Sequence, residues 1–128
     1  MVEHLPAIRV VAQPAAIEGT ATPDDSIVLR LAPDELLVLG NGPVTVPGDA
    51  HAIVVADAGW AGVWLEAAAA TGFLRHTCEW ELPSTRPAFA QGMVANLAVK
   101  LWMETDRTLI LIPTALAAEL AARLQEHA

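Results

Sequence analysis

The only serines are Ser26 and Ser84, and neither sits between glycines in the sharp strand-to-helix turn that exposes a hydrolase nucleophile. His4 and His127 lie near the termini, which leaves His51 and His76 as the histidines that local structure is expected to hold in place. His76, Cys78 and Glu79 stand close enough in sequence to suggest a metal site, yet zinc takes three or four ligands and no second ligand pair follows at a useful distance. A solvated helix end accounts for the same residues. Cys78 beside His76 also suggests an activated thiolate, whereas a lone cysteine after a helix is more often a small buried hydrophobe. Gly40, Gly42 and Gly48 do not form a phosphate loop, because no Lys-Ser/Thr pair follows and no helix opens at the last glycine. These residues assign no catalytic group and no metal site. Asp57, Glu66, His76 and Cys78 remain as polar candidates for lining a small-molecule pocket.

A second group points to recognition rather than catalysis. Trp60, Trp64, Trp80 and Trp102 stand in a chain with no tyrosine and two phenylalanines. Tryptophan is enriched at the anchored centres of protein interfaces, so all four are candidate contacts with a partner. The competing reading places about two of them in the core, since each ring buries a large area. If residues 60–65 form a strand, Trp60 and Trp64 share one of its faces.

Composition narrows the setting. At 128 residues the chain is long enough to close a hydrophobic core without disulfides, and it is expected to form one domain over 1–128. The net charge of −8, with scattered basic residues, argues against nucleic acid as a partner. A mean hydropathy of +0.42 is high for a soluble protein. Charged residues such as Glu66, Arg75, Glu104, Asp106 and Glu119 nevertheless interrupt every apolar stretch before the roughly 18 residues that a spanning helix needs. Membrane insertion is thereby excluded by the sequence pattern, and the apolar excess suggests a covered surface. One cysteine and no basic-then-apolar leader suggest the cytoplasm.

The elements that must position these residues follow from periodicity and breakers. Ile8 to Val11 reads as a strand and 13–25 as a loop. Ser26 to Leu31 and Glu35 to Leu39 form a hairpin about Ala32, Pro33 and Asp34. Residues 40–49 carry too many glycines and prolines for anything but a surface loop. His51 to Ala56 and Trp60 to Leu65 are strands, and Glu66 to His76 is a helix with Leu65, Phe73 and Leu74 toward one face. Leu82 to Pro87 is a loop. Gly92 to Met103 and Thr108 to Ile112 are strands joined by a turn at 104–107. Pro113 then opens a helix on which Leu116, Leu120 and Leu124 recur every four residues. The predicted class is α+β: an antiparallel sheet with helices on one face, as in ferredoxin-like folds.

Two segments also resemble a known family. The run Leu31-Ala32-Pro33-Asp34-Glu35-Leu36-Leu37-Val38-Leu39-Gly40 is similar to the "L-x-P-D-E-W-L-L-L" stretch of the gamma subunit of heterotetrameric sarcosine oxidase, a relative of the glycine-cleavage T-protein (aminomethyltransferase). The second segment starts at Val54-Val55-Ala56-Asp57 and passes through Leu74. Its Cys78-Glu79-Trp80-Glu81-Leu82 resembles that family's "C-x-x-D-L", and Phe89 and Gly92 follow. Ala98 to Trp102 and Leu109 to Pro113 look like the family's last two strands, so that the likeness spans roughly 26–125. Ala58 stands where the family often has a polar residue, Leu97 where it often has threonine, and the chain is shorter than typical members.

The resemblance implies a T-protein-like fold in a small, non-catalytic subunit of a cytoplasmic oxidoreductase complex. The partners would be larger flavin- and folate-binding subunits acting in N-methyl amino-acid (sarcosine) oxidation and one-carbon metabolism. No cofactor would be bound by this chain, with flavin and tetrahydrofolate held by the partners. Two alternatives stay open: a standalone T-protein-like domain that binds or transforms a small folate-like or amine-bearing molecule, and a homo-oligomer with a self-complementary apolar patch.

Overall fold

A computed structural model describes all 128 residues, and the class is α+β, with two antiparallel sheets and few helices. The chain divides into two compact units, one of residues Leu5–Ala58 and the other of Met1–His4 with Gly59–Ala128. Each has its own cluster of buried apolar side chains.

The strands are β1 (Glu3–His4), β2 (Ala7–Val11), β3 (Val28–Ala32), β4 (Glu35–Leu39), β5 (Ile53–Asp57), β6 (Trp60–Glu66), β7 (Ala88–Val94), β8 (Leu97–Met103) and β9 (Arg107–Pro113). The helices are α1 (Pro14–Ile17), α2 (Ala67–Thr77) and α3 (Ala117–Glu126). In the Leu5–Ala58 unit the sheet order is β3-β4-β2-β5. One face is covered by Ile17 of α1 and by Val44 and Val46, which pack with Val10, Leu36 and Val38. Residues 13–25, expected to be loop throughout, therefore contain one turn of helix. Pro14 fits there because a first-turn N–H has no intrahelical acceptor. Residues 40–49 are irregular as expected but not merely superficial. Thr45 bridges to Ala21, and the side chains on either side of it are buried. Asp49 accepts the backbone N–H groups of Gln13 (3.0 Å) and His51 (2.9 Å), and these two bonds hold its carboxyl below the usual carboxylate range.

The second unit is a five-stranded sheet ordered β1-β6-β9-β8-β7. Val63, Leu101, Ile110 and Ile112 share one face with Phe73 and Leu74 of α2 and Leu120 of α3, so both long helices pack on the same side, as the periodicity implies. The expectation of a single sheet does not hold. β5 and β6 are consecutive in the chain, yet β5 pairs with β2 in one sheet and β6 with β9 in the other. The apolar run from Gly92 to Met103 is likewise not one strand. It folds back at Ala95 (φ 51°) and Asn96 (φ 65°), a two-residue turn with both central residues left-handed, and this adds β7 to the sheet. Pro113 ends β9 rather than opening the last helix, and a 3-10 turn (Thr114–Leu116) intervenes before α3.

Ala95 carries a Cβ in a conformation that disfavours one, by about 1 kcal/mol or more. Ala95→Gly is accordingly expected to raise stability by roughly 0.5–1 kcal/mol, since part of the relief is offset by the greater freedom of glycine in the unfolded chain. Urea midpoints of the two proteins, at equal m-value, check this.

Candidate functional site

Three of the four tryptophans come together on the five-stranded sheet, on the face opposite its helices. Alternation places Trp60 and Trp64 on one face of β6, and the pairings Trp64↔Leu109 and Leu109↔Trp102 carry that face across β9 to β8. All three rings are half-buried. The guanidinium of Arg107 lies 3.7 Å from the centroid of the Trp64 ring, and Lys100 Nζ lies 5.3 Å from that of Trp60. Glu104 ties the group together, because its carboxylate accepts from Arg107 Nε (2.7 Å) and from Trp102 Nε1 (2.9 Å). Both bonds favour the ionised carboxylate and keep its pKa below the ordinary glutamate value, Arg107 contributing most. The local sequence explains the cluster: Glu104 and Arg107 flank the β8–β9 turn, where Glu104 N–H also donates to the Arg107 carbonyl (2.8 Å). The sequence pattern marked these residues only as turn residues.

Trp80 stands apart, in the irregular segment between α2 and β7. Its indole N–H donates to the Met93 carbonyl at 2.7 Å, and its ring lies over Gly92, where an added Cβ would fall 2.8 Å from the ring. Gly92 is thus the seat of Trp80. Beside it opens a depression of about 430 Å³, lined among others by His76, Glu79, Trp80, Asn96, Arg123 and His127. The imidazoles of His76 and His127 stack nearly parallel, with centroids 6.4 Å apart, and Phe73 meets His127 edge-on at 5.8 Å. Arg123 donates to the Ala95 carbonyl (3.2 Å) and pairs with Glu119 (3.7 Å) and Glu126 (3.9 Å), so α3 is fastened to the β7–β8 turn.

The four polar pocket candidates do not converge. His76 lines the depression, but Cys78 lines a different one, with Leu74, Arg86 and Thr108 among its walls, and its thiol donates to the Trp80 carbonyl at 3.4 Å. Glu66 is exposed at the junction of β6 and α2 and gives the helix no side-chain cap. Asp57 ends β5 in the other unit, opposite Ala7. No three His, Cys, Asp or Glu side chains are grouped as a metal ion would require. His127, set aside in the sequence because it nears the terminus, is the histidine that faces His76. The four-residue leucine spacing of α3 was the signal that this segment is docked rather than loose.

No protein-family model matches the chain, and no curated protein matches it significantly. Among solved structures the fold is similar to a chain of the heterotetrameric sarcosine oxidase from Corynebacterium sp. U-96, determined in complex with pyrrole 2-carboxylate. The likeness has a TM-score of 0.67 at 19% sequence identity, and covers 98% of this chain and 82% of that one. The protein thus has the fold of a sarcosine oxidase chain, as the ordered sequence resemblance implied. No helix is long and apolar enough to cross a membrane.

Two variants test this geometry. Because the Glu104 carboxyl is held below its unfolded value, its stabilising contribution is complete at neutral pH and is lost as the pH falls through the folded-state pKa. Urea unfolding from pH 7 down to pH 3 should therefore show a shallower acid decline in Glu104→Gln than in the parent, with the two converging at the acid end. Gly92→Ala should push the Trp80 ring from its seat at a cost of about 1–3 kcal/mol, read as a lower urea midpoint and a red shift of the tryptophan emission.

Proposed function

We propose that this chain is a non-catalytic subunit of a sarcosine-oxidase-type complex, serving the oxidation of N-methyl amino acids such as sarcosine. In this reading it seats against larger subunits that carry the flavin and bind tetrahydrofolate, and amine oxidation and one-carbon transfer take place there. One observation carries the reading: nearly the whole chain follows the fold of a chain from a heterotetrameric sarcosine oxidase. The side-chain inventory is in keeping with it. Asp57, Glu66, His76 and Cys78 are dispersed, and the sequence has no glycine-rich strand-to-helix turn to take a dinucleotide pyrophosphate. Trp60, Trp64, Trp80 and Trp102 are the contacts this reading offers to the partner subunits.

The depression beside Trp80 favours a second reading, a standalone domain that binds a small folate-like or amine-bearing molecule. Its size of about 430 Å³ falls within the usual range of ligand pockets. Two carboxylates, two imidazoles and an indole among its walls offer both charge and a stacking surface.

The two readings part on one experiment. The chain is tagged in its native host and purified gently, and its mass and visible absorbance are compared with those of the chain produced alone. A large yellow assembly from the host, beside a small colourless isolated chain, is the expected result. Small, colourless protein from both sources would overturn the subunit reading. A thermal shift of the isolated chain with tetrahydrofolate, abolished by His76→Ala, would then establish the second.

A further inference from the structure

Strand β5 ends its sheet, with β2 bonded on one side and no strand on the other. Which of its backbone groups face outward follows from the ladder. Gly40 N–H donates to the Pro6 carbonyl (2.8 Å) and Ala12 N–H to the Asp34 carbonyl (3.0 Å), both in line with the β2–β4 register, so the even-numbered residues of β2 bond to β4. Successive residues of an antiparallel strand bond to opposite neighbours. Ala7, Arg9 and Val11 therefore bond to β5, and their partners Asp57, Val55 and Ile53 turn their backbone groups inward. Val54 and Ala56 are left with N–H and C=O directed to the open edge, together with the Ala52 carbonyl. The Ala52 N–H already donates to Asp49 (3.2 Å).

This edge lacks the devices that usually block strand addition. β5 contains no lysine, proline or bulge, and Ile53 and Val55 are 54% and 48% exposed. The other edges differ. β3 has an irregular register between Arg30 and Ala32, with Arg30 paired to Glu18 at 2.7 Å. β7 gives the Met93 carbonyl to Trp80 and lies under its ring, and β1 is two residues long.

We infer that β5 pairs with the β5 of a second copy of this chain, antiparallel about a twofold axis through Val54. The two Val54 residues exchange N–H···O=C bonds at the axis, and at each end Ala56 N–H donates to the Ala52 carbonyl of the other copy. Side chains agree with this register. Ile53 faces Val55 of the second copy, and His51 faces Asp57, which brings an acceptor against a group that carries positive charge when protonated. Asp57 is engaged within its own chain, and a carboxylate has acceptor sites for a further donor. Moving the axis one residue toward the C-terminus sets Ile53 against Asp57, and one residue toward the N-terminus sets Val55 against His51. Either shift leaves one apolar pair, Val55 with Val55 or Ile53 with Ile53, where the register centred on Val54 has two. An isologous contact of one short strand is below the standard interface size, so the dimer is weak and concentration-dependent. This inference is independent of the subunit reading, because it concerns the isolated chain.

Sedimentation equilibrium on the full chain should show a mass rising from 13.5 kDa toward twice that value as concentration approaches roughly 1 mM. Val55→Lys, at a half-exposed position, should remain monomeric over the same range with an unchanged far-UV circular dichroism spectrum. Mixing Ile53→Cys with Val55→Cys under mild oxidation should yield a disulfide between positions 53 and 55 of the two variants. Peptide mass spectrometry distinguishes it from any link through Cys78. A wild-type chain that stays monomeric throughout, a Val55→Lys protein that dimerises as well as the parent, or cross-links in another register would each overturn the inference. The first outcome would leave the edge to a strand from a different protein.

Discussion

Strand β9 has to be apolar on both of its faces, and the larger sheet depends on that. Leu109, Ile110, Leu111 and Ile112 are each at most 1% exposed, although alternation sends them to opposite sides. A strand flanked on both edges and covered on both faces cannot take a charge at any of these positions, and each such side chain contributes about 1.5–3 kcal/mol by burial. Its neighbour β8 reads as half-buried because it needs only one apolar face: buried Leu97, Val99, Leu101 and Met103 alternate with more exposed residues. Polar chemistry is pushed to the ends of β9. Arg107, at its start, is where the guanidinium meets Trp64 and Glu104.

Individually the contacts around Trp60, Trp64 and Trp102 are weak. A cation over an exposed indole is worth about 0.5–1 kcal/mol, and an exposed ion pair usually less. Their effect is on orientation. Arg107 is bound by a carboxylate and lies over a ring at once, so its planar fork is fixed, and Glu104 in turn fixes the Trp102 indole. One surface of Trp64 is already occupied within the chain, and Lys100 lies over Trp60. A partner reaching these rings would meet cations and indole edges rather than bare apolar faces.

Much of the secondary structure is legible in the residues, and the sheet assignment is not. Pro33-Asp34 marks the β3–β4 hairpin because proline fixes the turn dihedral, and the leucines of α3 mark its buried stripe. The β7–β8 turn leaves no such mark. Ala95-Asn96 lacks the glycine that usually supplies positive φ, and it sits inside an apolar run, so the run reads as one strand. That β5 and β6 part company is also invisible locally, since both are short apolar strands and their partners, β2 and β9, lie more than forty residues away from them in sequence. Site residues fare similarly. The proximity of His76 and Cys78 in sequence suggests a pair, but the chain leaves α2 between them, and the two side chains line different depressions.

The apolar excess also has a different meaning once the packing is known. High mean hydropathy suggests an extensive apolar surface, but most of it is consumed by a doubly buried strand and by two separate clusters, each needing its own lining. What is left exposed among large hydrophobics is Met1, Ile53, Val55 and Met93. Composition is therefore poor support for a partner surface in this protein. The case for larger partners rests on the shared fold, and two of the exposed large hydrophobics, Ile53 and Val55, lie side by side on one face of the edge strand β5.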